Sequence, residues 1–165
     1  MGAVLLALAV LLVGLAPASH AKLNNPQELV PFLKIELPGW KLAEGYPQVK
    51  RVQDEGRSFV QAEDVFSSGK STINVFIKEG EIAKEVAMFK LFQENENEKG
   101  YCRLTTVQGF KAVEQVIKEP KYAFLFILVT ENCGVFIKAT ESENTMVLKG
   151  LANKIDLQKL AALVK

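Results

Sequence analysis

The 165-residue sequence has few of the residues that most often carry catalysis. It contains one histidine, His20, and two cysteines, Cys102 and Cys133. His20 lies in an apolar N-terminal stretch, so the chain after it has no histidine to act as a general base or metal ligand. Carboxylate or lysine chemistry stays open, but this scarcity favours a protein that is not an enzyme. We assign no catalytic, cofactor-binding or metal-binding residue, and we expect no cofactor.

The sequence also lacks a strong charge of either sign, since its formal net charge is +1. Proteins that bind nucleic acids usually present a strongly basic surface. Binding to anionic membranes usually requires a polybasic segment, which is missing as well. We therefore expect no nucleic acid partner.

Charged side chains are absent from residues 1–21. An apolar run there is followed by Ser19-His20-Ala21, which places small residues at the two positions that signal peptidase reads. The pattern predicts a signal peptide cleaved before Lys22, with a second candidate site after Ala18. The apolar stretch is shorter than the roughly 20 residues of a spanning helix. We expect a periplasmic or extracellular protein without a membrane span after cleavage. Because a basic N-terminal region is missing, an N-terminal membrane anchor is the alternative.

After the signal peptide, residues 1–21, we predict a Pro-containing extended lead-in, residues 22–56, and one domain, residues 57–165. Prolines recur through the lead-in and allow only a short helical turn near residues 28–33. Trp40 is expected to pack over one end of the core.

Alternating apolar residues predict a β-hairpin from residues 57–66 and 71–78, joined by a Ser/Gly turn. An amphipathic helix is expected from Glu81 to Phe92. Four strands with short connections then predict an antiparallel meander, and two helices close the chain, the last capped by Asp156. The fold class is α+β: a single antiparallel sheet of five to six strands with helices packed on it. The meander strands are residues 102–107, 110–118, 123–130 and 134–139, and the third is expected to be central and covered on both faces.

Three local motifs are better explained by ordinary structure than by a disulfide, a phosphate-binding loop or a calcium site. Cys102 and Cys133 fall at opposite ends of the meander, so we expect free or intermolecularly paired thiols rather than an internal disulfide. The sequence of residues 67–72, SSGKST, lacks the first glycine of a phosphate-binding loop and precedes a strand, so it reads as a hairpin turn. The acidic run at residues 94–98 lacks the ligand spacing of a calcium loop and indicates a solvated helix end.

Four segments resemble a group of small secreted bacterial proteins of uncharacterised function. They are residues 37–40 (LPGW), 99–101 (KGY), 109–114 (GFKAVE) and 155–160 (IDLQKL). The similarity spans most of residues 37–163 and includes no catalytic motif. The layout is also similar, at the level of fold, to the α/β/α sandwich of PsbP-like proteins. The resemblance implies a non-catalytic binding or assembly role.

The sequence therefore predicts a non-catalytic exported protein of the bacterial envelope that serves as a protein-binding or accessory module. Its expected partner is another envelope protein or an apolar small molecule. One alternative is a carrier of a lipid or other apolar ligand, bound between the sheet and a helix. A second alternative is a carboxylate-dependent hydrolase, which needs two acids to converge in a cleft.

Overall fold

A computed structural model describes residues 21–54 and 57–165. The predicted signal peptide lies outside the described residues apart from Ala21, and so does His20. Within these two ranges, no helix combines the length and apolar character needed to cross a membrane.

Nine strands and four short helices make up the described chain. A 3-10 helix comes first, and its N-cap Asn25 accepts a hydrogen bond from the amide of Gln27. Asn144 and Asp156 cap the second and third α-helices in the same way. The elements in chain order are the 3-10 helix Pro26–Leu33, β1 Lys41–Leu42, β2 Gln48–Asp54, β3 Arg57–Ser68, β4 Ser71–Gly80, α1 Ala83–Leu91, β5 Asn95–Asn97, β6 Gly100–Val107, β7 Phe110–Ile117, β8 Tyr122–Thr130, β9 Cys133–Thr140, α2 Thr145–Ala152 and α3 Leu157–Leu163.

All nine strands belong to one antiparallel sheet, in the order β1-β3-β4-β9-β8-β7-β6-β5. β2 also pairs with β3, next to β1, so the two strands share one edge. The hairpin β3–β4 and the meander β6–β9 are confirmed. β4 pairs with β9, and this non-local pairing joins the hairpin to the meander.

The predicted α+β class, with five to six strands and packed helices, is wrong. The protein is mostly β, and its helices have only seven to nine residues each. The prediction missed β1, β2 and β5. β2 and β5 are largely polar edge strands, so they lack the alternation that identifies a half-buried strand. The mainly β composition also departs from the α/β/α sandwich of the analogy.

The lead-in is part of the sheet, because β2 pairs with β3 along seven residues. Its 3-10 helix buries Leu29 and Leu33 in the core and includes the short helical turn expected near residues 28–33. Trp40 is partly buried and packs against the core cluster, as predicted.

The two faces of the sheet differ in what covers them. The helical face, which carries Val75, Ile137 and Leu125, packs against the 3-10 helix, α2 and α3 and forms the core. The open face carries Phe76, Phe136 and Phe124. Helix α1 packs on this face, where the ring centres of Phe89 and Phe126 lie 5.1 Å apart. The segment that contains α1 connects β4 to β5 and crosses the open face between these two strands.

Gly134 makes the aromatic packing on the open face possible. A Cβ atom at this position would lie 2.6 Å from a ring carbon of Phe126 and 3.1 Å from one of Phe136. The two rings stack with centroids 4.4 Å apart and planes inclined by 8°. A side chain at position 134 would therefore force the stacked pair apart.

Candidate functional site

A cleft on the open face is built from aromatic rings and two lysines. The aromatic members are partly or largely buried, so the rings form a floor with limited exposure. The cleft has a volume of about 240 Å³ and is lined by Gln61, Phe76, Lys78, Phe124, Phe136 and Lys138. Strand pairing explains this arrangement, because Phe76 lies opposite Phe136 and Lys138 lies opposite Phe124.

The two lysines have different surroundings. The ammonium of Lys78 lies 5.2 Å from the ring centre of Phe59 and 5.1 Å from that of Phe136, and 3.6 Å from the carboxylate of Glu85 on α1. Lys138 lies 6.0 Å from the ring centre of Phe76. No carboxylate in the described ranges forms an ion pair with Lys138. Lys138 is therefore the cation of this cleft that remains available to an anionic group.

A second cleft, also of about 240 Å³, lies near β5, the start of β6 and the end of β7. Its lining includes Cys102, Gln115 and Ile117. Gly100 allows close strand contact here, because a Cβ atom at this position would clash with the carbonyl oxygen of Val116. Burial raises the pKa of Cys102, which favours its neutral thiol.

One row of residues joins the two clefts. Lys138, Phe124, Gln115 and Cys102 lie opposite one another on β9, β8, β7 and β6. We call these four residues the Lys138 row. Three strand spacings give the row a length of about 15 Å. The ring of Tyr122 stacks beside Phe124 at 6.4 Å and extends the aromatic surface along β8. This track offers a cation, an aromatic face and an amide to a bound molecule.

On the helical face, Glu114 is at the centre of a polar cluster. Its Oε1 accepts hydrogen bonds from the hydroxyl of Tyr101 at 2.6 Å and from Arg103 at 3.2 Å, while the ammonium of Lys149 lies 2.5 Å from its Oε2. Burial alone would raise the pKa of Glu114. Hydrogen bonds from Lys149, Tyr101, Thr145 and Arg103 outweigh burial and lower that pKa to about 2. The cluster ties α2 to the sheet through a carboxylate that is ionised at neutral pH.

Two further carboxyls are buried on the same face. Asp64 on β3 is 1% exposed, and neither of its oxygens has a hydrogen-bond partner among the described residues. Burial raises its pKa to about 6. Glu79 on β4 is fully buried, and backbone amides donate to it.

These carboxyls lie far apart. Asp64, Val75, Ile137, Leu125 and Glu114 form one row across five strands. Four strand spacings place Asp64 and Glu114 about 19 Å apart, whereas paired glycosidase acids are about 5–10 Å apart. The structure therefore does not bring these two acids together in one cleft.

The motifs singled out in the sequence lie at separate places. Both cysteines are free, as expected, and Cys102 faces the open side while Cys133 is buried in the core. Residues 67–72 belong to the β3–β4 turn, as predicted. Within the acidic run, Glu94 accepts a hydrogen bond from the amide of Leu104 at 2.9 Å. Among the described residues, no three or more His, Cys, Asp or Glu side chains are grouped so that they could hold a metal ion.

The sequence analysis did not identify the Lys138 row. It predicted that the strand containing Phe124 is covered on both faces, and β8 is indeed central, yet Phe124 is partly exposed. The available signal was Lys138, a lone charge inside the otherwise apolar β9. Such a residue indicates which face of a central strand reaches water.

Comparison with protein-family models, with curated proteins and with solved structures gave no match to this chain.

Proposed function

We propose that the protein is a non-catalytic exported binding module of the bacterial envelope, and that the open face of the sheet is its binding surface. The observation that carries this proposal is the Lys138 row, where a cation without an ionic partner adjoins partly exposed aromatic rings. Aromatic and cationic side chains dominate the binding energy of many protein interfaces. The resemblance to small secreted bacterial proteins points to the same role and stays a prediction.

The expected partner is an envelope protein that presents an acidic group next to an apolar one. Its acidic group would pair with Lys138, and its apolar group would lie on Phe124 and Tyr122. Such a pair would be partly desolvated by the rings, which strengthens the attraction relative to an exposed pair.

The test is affinity capture of the tagged protein from native envelopes, with the bound proteins identified. We expect Lys138→Glu to reduce the captured partner at least tenfold, because it places a carboxylate opposite the partner's acid. Lys34→Glu is the matched control, since it makes the same charge change at an exposed position that ends the 3-10 helix, which packs on the opposite face of the sheet. Equal capture by both variants would contradict the assignment of the surface. Turnover of a substrate by the purified protein would contradict the non-catalytic role.

A second candidate function, a carrier of an apolar ligand, has one observation in its favour. A groove of about 510 Å³ between the 3-10 helix and α3 is lined mainly by Pro31, Phe32, Ala162 and Leu163. This volume lies in the range of small-molecule sites, about 300–1,000 Å³. Native mass spectrometry of protein from its own host would show a bound lipid that Ala162→Trp removes. Ala83→Trp, at an exposed position of α1, is the control that should retain it.

A further inference from the structure

Glu79 is a fully buried carboxylate. It lies near the end of β4, on the helical face, opposite Cys133 of β9. Throughout the described residues, no Lys or Arg side chain forms an ion pair with it. Burying a carboxylate without a compensating charge is unfavourable, so the groups that face Glu79 are of particular interest.

The groups that face Glu79 are the backbone nitrogens of two neighbouring residues. The nitrogen of Lys22 lies 2.7 Å from one carboxylate oxygen, and that of Leu23 lies 3.3 Å from the other. The same Lys22 nitrogen belongs to the Ala21–Lys22 peptide bond, which the sequence analysis predicts as the signal peptidase site. The predicted cleavage site and the hydrogen bond to Glu79 therefore involve the same atom, the backbone nitrogen of Lys22.

We propose that cleavage after Ala21 converts the Lys22 nitrogen into an α-ammonium that forms an ion pair with the buried carboxylate of Glu79. Hydrolysis adds one water to the Ala21–Lys22 amide, so that the departing peptide keeps the new carboxylate. The freed amine takes up a proton, because α-amino groups have pKa values of about 7.7–8.0. Removal of the leader thus supplies the missing counter-ion. This inference rests on the exported character in the proposed function.

Neighbouring contacts hold the segment in this position. Arg51 on β2 donates to the carbonyl of Leu23 at 2.8 Å, and the side chain of Lys22 donates to the carbonyl of Lys165 at 2.8 Å. Gly80, next to Glu79, has no room for a side chain, because a Cβ atom would lie 2.5 Å from the carbonyl oxygen of Ser58. These contacts fix Lys22 and Leu23 next to Glu79.

The alternative cleavage site gives a different outcome. Cleavage after Ala18 would leave residues 19–21 attached, and the nitrogen of Lys22 would remain an uncharged amide. The ion pair therefore requires cleavage after Ala21, so identifying the N-terminal residue of the exported protein tests it. Intact mass and N-terminal sequencing of protein exported by its own host should give Lys22 as the first residue. A first residue of Ser19, or an uncleaved chain, would overturn the inference.

Thermal unfolding then tests the ion pair itself. The forms that begin at Lys22 and at Ser19 are compared, each with Glu79 and with Glu79→Gln. With Glu79, we expect the Lys22 form to unfold about 10 °C higher, in line with the loss of one partner of a buried pair. With Glu79→Gln, the two forms should differ by less than about 3 °C, because the charge of the ammonium has no partner. An equal difference in both backgrounds would overturn the inference.

A measurement on the unsubstituted protein covers the case in which Glu79→Gln does not fold. The α-amine of the Lys22 form should react with limiting acetic anhydride at least tenfold more slowly in the folded state than in urea. Equal rates would overturn the inference. Neither result bears on Lys138, so partner capture by the open face stands or falls separately.

Discussion

Asp64 and Glu114 lie at the two ends of one row on the same face of the sheet, yet their surroundings are opposite. Both side chains are almost completely inaccessible to solvent. Glu114 receives donors from Tyr101, Arg103 and Lys149, whereas Asp64 has none among the residues that the structure describes. Burial raises the pKa of Asp64 to about 6, while the donors around Glu114 overcome its burial and lower its pKa to about 2.

The comparison shows that burial by itself does not decide the charge of a carboxyl group. The Glu114 end of the row lies beneath α2, which brings Thr145 and Lys149 to the sheet. Asp64 lies at the other end, opposite Val75 and between Ala62 and Phe66, all of which belong to the apolar core. Charged neighbours and hydrogen bonds therefore determine which of the two carboxyls is stable as an anion.

The two pKa shifts have opposite consequences for stability. The pKa of Asp64 is raised in the folded state, so its contribution is fully present below about pH 4 and is lost as the pH rises through about 6. The pKa of Glu114 is lowered, so its contribution is present above about pH 4.5 and is lost as the pH falls through about 2. The pH ranges in which the two residues affect stability scarcely overlap, so each residue can be tested separately.

The largest expected effect comes from breaking the paired end of the row. Glu114→Gln should lower the free energy of unfolding at pH 7 by about 3 kcal/mol, because it removes the anion that faces Lys149 and Arg103. Urea unfolding followed by circular dichroism measures this change. Glu143→Gln, at a partly exposed ion pair with Lys121, is the control and should change stability by less than about 1 kcal/mol. A loss no larger than that of the control would show that the cluster does not stabilise the fold.

Removing the charge at the unpaired end should have the opposite sign. Asp64→Asn should raise the free energy of unfolding at pH 7.5 by about 2 kcal/mol, because the full shift corresponds to about 3 kcal/mol and the amide also lacks a partner. Glu63→Gln, the adjacent residue on the other face, is the matched control. Destabilisation by Asp64→Asn at this pH would mean that the carboxylate has a stabilising partner in solution.

The pH profile sharpens the same comparison. Between about pH 4 and 6, the unsubstituted protein should lose stability as the pH rises, with a slope of up to about 1 kcal/mol per pH unit from Asp64. Urea unfolding at half-unit intervals of pH measures this slope. Asp64→Asn should flatten it, and Glu114→Gln should leave it unchanged while weakening the loss below pH 4. A slope that survives in Asp64→Asn would assign the titration to another group.

The smallest effect is expected at the exposed member of the Glu114 cluster. The side chain of Arg103 is 53% exposed, whereas that of Lys149 is 27% exposed. Arg103→Ala should therefore lower stability by less than about 1 kcal/mol, since solvent screens its pair with Glu114. Lys149→Met should cost more, and thermal unfolding of the two variants compares them. Equal losses would indicate that exposure does not rank the donors of Glu114.

The sequence predicted most strands that pair with their neighbours in the chain, but it did not predict which distant strands pair with each other in the sheet. The hairpin and the meander were identified because their strands alternate and their turns are short. The pairing of β4 with β9 brings together residues about sixty positions apart, and no local pattern encodes it. β2 and β5 were missed because each lies at or near an edge, where one side of the strand need not be apolar.

The candidate site was less predictable than the fold. Lys138, Phe124, Gln115 and Cys102 come from four strands, and only their register makes them neighbours. Lys138 is a lone charge in an apolar strand, but the other three do not differ from their neighbours in a way that indicates a shared surface. The shared face becomes visible only when the pairing of all four strands is known.

The sequence by itself determined the β3–β4 hairpin, the meander strands, the helix cap at Asp156 and the separation of the two thiols, because these depend on periodicity and on short-range hydrogen bonds. Only the tertiary structure decided which carboxyl has donors, which lysine has no ionic partner, and which nitrogen faces Glu79. These properties depend on distances between residues far apart in the chain. The scarcity of histidine and cysteine limited the catalytic and metal-binding residues that the sequence could offer. The packing of the sheet determined the surroundings of its buried carboxyls and of Lys138.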